Sequence, residues 1–242
     1  MPGELYLTNA YLRGCEATVD RHLDDGVILS DTVFYPTGGG QPGDSGELRD
    51  SGGRVWRVTT TEKSPEGVLH RLEGEASPPL AERVHAAVDW NRRYDHMRYH
   101  TALHILSGVT FREFGSGITG GQIYDDRARM DFAIPEFNRT RAEELVAAMN
   151  VVVGEDRPIS VRFLSREELA RNPSLVRVAA ELMPDLNTVR LIDIEGFDVQ
   201  ADGGTHVAST REVGQARLDR IENKGSRNKR MYLSLEPSKP AP

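Results

Sequence analysis

Trp90-Asn-Arg-Arg-Tyr-Asp-His-Met-Arg-Tyr-His-Thr-Ala-Leu-His-Ile-Leu-Ser-Gly-Val-Thr-Phe-Arg-Glu-Phe114 decides how the rest of the chain is read. Tyr99, Leu103, Leu106 and Thr110 recur near one face at helical spacing, with Arg92, Arg93 and Arg98 at polar positions. That period predicts a long helix over roughly 90–114, stopped by the glycines of Gly115 to Gly121. Everything before it reads differently. Short apolar alternations such as Val27 to Leu29 and Val55-Trp-Arg-Val58 are broken by glycine-rich turns at Gly38 to Gly46 and Ser51-Gly-Gly53. This rhythm predicts a small β-barrel over residues 1–85, with the turn-rich Glu73 to Pro79 as its boundary.

Beyond the long helix, strands and helices mix without regular alternation. A strand is expected over Ala128 to Ile134, then a helix from Thr140, where Thr140 and Glu143 form a capping box. Leu145, Val146, Met149, Val152 and Val153 give that helix an apolar face. Ile159 to Leu164 reads as a strand, followed by a short helix capped by Ser165 and Glu168 and limited by Pro173. Val189 to Val199, Gln215 to Ile221 and Arg230 to Leu235 read as further strands. The expected class is therefore α+β: the barrel (1–85), then a second domain (86–242) with helices laid on a mostly antiparallel sheet.

Composition narrows the function. No apolar run approaches the roughly 20 residues that span a bilayer, so no membrane partner is expected. Met1 to Tyr11 lacks the basic start and apolar core of an export signal, and a cytoplasmic protein is expected. Cys15 is the only cysteine, which excludes an internal disulfide and a thiolate-rich metal site, leaving His and carboxylate as ligands. A net charge of −7 argues against indiscriminate coating of nucleic acid. Residues 211–230 are a local exception, with seven Lys and Arg against three Asp and Glu, ending in Lys224-Gly-Ser-Arg-Asn-Lys-Arg230. The sequence sets no oligomeric state.

His100 and His104, four apart on a helix, emerge from one side and can share an ion. Thr101 stands where the zinc-protease helix motif needs Glu, so that chemistry is not expected. His96 offers His100 the same spacing and leaves the choice of pair open. In Ala201-Asp-Gly-Gly-Thr-His206, two glycines allow Asp202 and His206 to be aimed at one point, or else make a plain tight turn in which Asp202 bonds local backbone. Three imidazoles and a carboxylate would suit Zn2+ at roughly 2.0 to 2.2 Å.

His100-Thr-Ala-Leu-His104 together with Gly203-Gly-Thr-His206 resembles the editing domain of alanyl-tRNA synthetase and its free-standing relatives, the alanyl-tRNA editing proteins. Asp31-Thr-Val-Phe-Tyr-Pro-Thr-Gly-Gly-Gly-Gln-Pro-Gly-Asp44 is similar to the family's glycine-rich barrel motif, Arg129-Met-Asp-Phe132 to its central strand, and Lys224 to Arg230 to its basic C-terminal element. The resemblance implies a hydrolase that acts in trans on mischarged alanine tRNA, removing serine or glycine at a zinc site held by His100, His104, Asp202 and His206. A threonine-tRNA substrate and a purely structural ion in an RNA-binding protein are the competing implications.

The family usually has Cys where this chain has Asp202, so selection for zinc over manganese, iron or cobalt should be looser. Asp202 is then either a direct fourth ligand, the preferred reading because it occupies a matched ligand position, or a base acting beside a three-histidine site. Thr101, Gln122 and Thr205 are candidates for a group that bonds a substrate hydroxyl, although a helical Thr101 could equally bond its own backbone one turn back. Gly38, Gly39, Gly40 and Gln41 are expected near the acceptor end of the tRNA, with main-chain N–H groups for phosphate. Lys224, Arg227, Lys229 and Arg230 are expected on the tRNA backbone.

Overall fold

The computed structural model describes residues 3–74, 82–115, 117–134, 137–171, 188–225 and 228–237. The chain divides into two compact units, one running to His96 and the other beginning at Met97. In the first, β1 (Gly14–Leu23), β2 (Gly26–Leu29), β3 (Gly46–Asp50), β4 (Val55–Ser64), β5 (Gly67–Leu72) and β6 (Arg83–Val88) close a barrel in the order β1-β2-β5-β4-β3-β6. Every pairing is antiparallel. Closure leaves no free edge, and Val27, Leu29, Phe34, Leu48, Val58 and Val84 fill the interior. The boundary expected at Glu73 to Pro79 falls mostly outside the described residues.

The long helix, α1 (Trp90–Phe114), has the bounds its periodicity predicts. Two of its arginines are not the solvated residues their charge suggested. Arg93 is wholly buried and clamps the equally buried Asp44, with Nε 3.0 and 2.8 Å from the two carboxylate oxygens. It also donates to the carbonyls of Val33 and Ala10 at 2.5 and 3.1 Å. Arg98, beyond the unit boundary, donates to the carbonyls of Val213 and Glu236 at 2.9 and 2.6 Å. A buried cation is tolerated only when paired and hydrogen-bonded in this way.

In the second unit, β7 (Ile118–Ile123), β8 (Ala128–Phe132), β12 (Ala216–Asn223) and β13 (Lys229–Leu235) form an antiparallel sheet in the order β12-β13-β8-β7. A second antiparallel sheet, β11-β10-β9, uses β9 (Ile159–Ser165), β10 (Thr188–Ile194) and β11 (Asp198–Ala201). The α+β class stands, with two sheets in this unit where one was expected. Gly120 and Gly121, read as helix stops, lie within β7. The run Val189 to Val199, read as one strand, reverses at 195–197 into the β10–β11 hairpin. Helix α2 (Arg139–Gly154) buries the predicted apolar face, but its cap is Asn138, whose side chain accepts the Arg141 N–H at 2.9 Å, rather than Thr140. Ser165 and Glu168 do form the expected reciprocal cap on α3 (Arg166–Arg171), while Pro173 lies outside the described residues.

His70 on β5 gives the barrel a pH dependence. It is wholly buried, with Nε2 2.7 Å from Thr32 Oγ1 and Nδ1 3.3 Å from the Val27 carbonyl, and burial lowers its pKa to about 4. The unfolded chain protonates this ring near its ordinary value of about 6.5 while the fold resists until about 4. The neutral-ring contribution is therefore complete above about pH 6.5 and is lost as pH falls towards 4, a decline of about 3 kcal/mol. Urea unfolding across this range should show the decline in the native chain and a flatter profile in His70→Asn; equal slopes would contradict it.

Candidate metal centre

Helix α1 presents His100 and His104 one turn apart, and the loop leaving β11 brings Asp202 and His206 to them. One ligand atom from each of the four lies within 4.8 Å of all the others. Asp202 Oδ1 is 3.5 Å from His100 Nε2 and 4.0 Å from His104 Nε2, and Oδ2 is 3.2 Å from His206 Nε2. Four donors at about 2.1 Å around a tetrahedral ion are separated by about 3.4 Å, close to the Asp202–histidine distances, so the quartet could draw together around one small divalent cation. His96, the alternative partner for His100, is not part of this cluster.

Each side chain is held locally. Gly204 matters for space: a Cβ there would lie 2.1 Å from His100 Cε1, so only glycine lets the loop pass against that ring. The Gly204 N–H donates to Asp202 Oδ2, which is the local backbone bond of the plain-turn reading and coexists with the cluster. Arg190 on β10, almost buried, donates to the Asp202 carbonyl at 2.8 Å and ties the loop to the sheet. Sequence reading missed Arg190; a charge inside the apolar run Val189 to Ile192 was the available signal.

Burial opposes ionisation of Asp202, but the adjacent His100 and His206 outweigh it and hold the carboxyl well below the usual range. Burial, reinforced by His100, pushes His206 far down, and it pushes His104 to about 4 despite the pull of Asp202. Near pH 7 this leaves an anionic carboxylate with His104 and His206 neutral, the protonation states that a cation requires.

Residues 11–92 match the family described as tRNA synthetases class II (A), and residues 189–232 match the threonyl and alanyl tRNA synthetase second additional domain. An alanyl-tRNA editing protein AlaX-M from Saccharolobus solfataricus is 38% identical over 98% of this chain and 100% of its own length. The chain belongs to the AlaX-M family of alanyl-tRNA editing proteins. A Methanosarcina barkeri AlaX-M protein is 37% identical over 97% of the chain and 99% of its own length. The alanine–tRNA ligase of Pyrococcus abyssi is 35% identical over 90% of the chain but only 24% of the ligase.

The remaining predicted residues of this AlaX-M chain are placed unevenly. Thr101 does not bond back along its helix; its hydroxyl is 3.2 Å from His206 Nδ1 and accepts the Val207 N–H at 3.3 Å. Thr205 is wholly buried in the loop between Asp202 and His206. Gln122, half-buried on β7, donates to the neighbouring Ile123 carbonyl at 3.1 Å. Gly38 to Gln41 form a tight turn with Gly39 and Gly40 both at positive φ, 56° and 79°. The N–H groups of Gly38 and Gln41 bond across that turn at 3.1 and 2.8 Å, and Gln41 is buried, so of the four N–H groups offered for phosphate these two are spent.

The basic element is largely committed as well. Arg230 binds both oxygens of Asp131 at 2.6 and 2.8 Å, and Lys229 is buried with Nζ 3.2 Å from the Gly225 carbonyl. These two, expected on a tRNA backbone, brace the sheet through those contacts. Lys224 is exposed and pairs with Glu222 at 2.9 Å, and Arg227 lies outside the described residues.

Proposed function

We propose that this chain hydrolyses, in trans and in the cytoplasm, the ester that joins serine or glycine to the terminal ribose of alanine tRNA. Water adds to the ester carbonyl carbon, the bond to the ribose oxygen breaks, and that oxygen leaves with a proton, giving free amino acid and uncharged tRNA. The observation that carries the reading is the clustering of His100, His104, Asp202 and His206 within 4.8 Å in a member of a family of editing proteins.

The four residues would hold one divalent ion, with Asp202 as a direct ligand because its two oxygens lie between 3.2 and 4.0 Å from all three Nε2 atoms. Zinc suits the donor set, and the hard oxygen of Asp202 also admits manganese, iron or cobalt. When bound, such an ion supplies Lewis-acid polarisation of an oxygen or an anchor for the substrate.

The chain's own contribution is positional. Arg190 and the Gly204 N–H hold the loop, and the ionised Asp202 sets a negative charge among the imidazoles. Preference for serine over alanine would follow from a buried polar group left unpaired by a methyl, a device that cannot act on glycine. Thr205 and Gln122 are the candidates for that contact, since the Thr101 hydroxyl is turned to His206 and Val207. Of the basic element, exposed Lys224 is our candidate for the tRNA phosphates.

The test is deacylation of alanine tRNA charged with serine, glycine or alanine, with serine-charged threonine tRNA in parallel. The serine and glycine esters of alanine tRNA should be lost quickly and the alanine ester spared. Rapid loss of the alanine ester, loss confined to the threonine tRNA, or no deacylation at all would each contradict the proposal.

A further inference from the structure

A threonine inside a helix commonly turns its hydroxyl back to the carbonyl one turn earlier. Thr110 of α1 does so, donating to the Leu106 carbonyl at 2.8 Å. Thr101, on the same helix and equally buried, is turned across to the ligand loop, where Oγ1 is 3.2 Å from His206 Nδ1 and accepts the Val207 N–H at 3.3 Å. A neutral imidazole carries its proton on one nitrogen and a lone pair on the other. His206 Nε2 faces the cluster, 3.2 Å from Asp202 Oδ2, so it can serve a cation only when the proton is on Nδ1. An Nδ1–H this deep needs an acceptor, and a hydroxyl oxygen has two lone pairs, one for Val207 and one for His206.

We propose that Thr101 is a positioning residue: its hydroxyl fixes the ring of His206 and holds the proton on Nδ1, leaving Nε2 for the metal ion. The proposal rests on the metal reading above. Valine has nearly the same shape but no acceptor, so it strands two buried N–H groups and frees the ring to take the other tautomer. Serine keeps the acceptor.

Zinc affinity measured by competition with a chromophoric chelator separates these cases. The native chain should take up one zinc, T101V should bind about 10- to 100-fold more weakly, and T101S should remain close to native. T110V, the same change in the same helix where the hydroxyl serves only its own backbone, should keep native affinity. Ring nitrogen NMR on the zinc-loaded chain should show His206 protonated at Nδ1 in the native protein, and a weakened or mixed signal in T101V. Native affinity in T101V, or an equal loss in T110V, would overturn the assignment of Thr101. Failure of the native chain to bind zinc would instead overturn the metal reading, and this proposal with it.

Discussion

His104→Ala should reduce hydrolysis of mischarged alanine tRNA by more than about 100-fold, because loss of a ligand must cost at least as much as loss of the partners that merely orient ligands. His104 is one of four clustered donors, and its Nε2 lies 4.0 Å from Asp202 Oδ1. Removing it leaves three donors and takes one imidazole from beside the Asp202 carboxylate. Two controls separate this from misfolding. A strong chelator should silence the native chain with its far-ultraviolet dichroism unchanged, and added zinc should restore the native chain but not His104→Ala. A variant that keeps native activity would remove the ion from the reaction.

Asp44→Asn is expected to destabilise the first unit by about 3–5 kcal/mol, the usual cost of stranding one partner of a buried ion pair. Arg93 and Asp44 are almost inaccessible, and Asp44 also accepts the Tyr35 N–H at 2.6 Å. The neutral amide keeps the shape and removes the counter-charge, leaving the Arg93 guanidinium in the core with carbonyls alone. Both tryptophans, Trp56 and Trp90, belong to this unit, so tryptophan fluorescence during urea unfolding reports its stability apart from the second unit. The double variant D44L/R93M should recover much of the loss, since apolar replacement of both partners avoids the stranded charge. A loss under about 1 kcal/mol in the single variant would show that the pair contributes little.

Local periodicity made α1 legible to its end residues, because a 3.6-residue pattern and a following glycine are both near-neighbour signals. The barrel was legible as alternation punctuated by turns. Residues that act across long separations were less so. His100 and His104 could be paired with Asp202 and His206 only because each half has ligand spacing of its own and the family resemblance joins them. Arg93 gave no sign of burial, since its partner Asp44 is 49 positions away and charge alone predicts solvent.

The same reasoning explains Arg230 and Lys229, whose charges pointed outward until β13 paired with β8 and set Arg230 opposite Asp131. The reversal at 195–197 was hidden by the apolar residues on both sides of it, and the Asn138 cap by the more familiar Thr140–Glu143 pattern two residues on. Thr101 was read as a substrate contact or as a bond to its own helix, whereas its contacts are about a hundred residues away.

The most direct measurement is metal content and coordination: equilibrate the purified native chain with zinc, remove the excess, count ions per chain, and read the ligand atoms by X-ray absorption. One ion per chain in a shell of nitrogen and oxygen without sulfur, lost in His104→Ala, is the result that follows from the four side chains. An empty chain, or an ion that persists unchanged in His104→Ala, would contradict it.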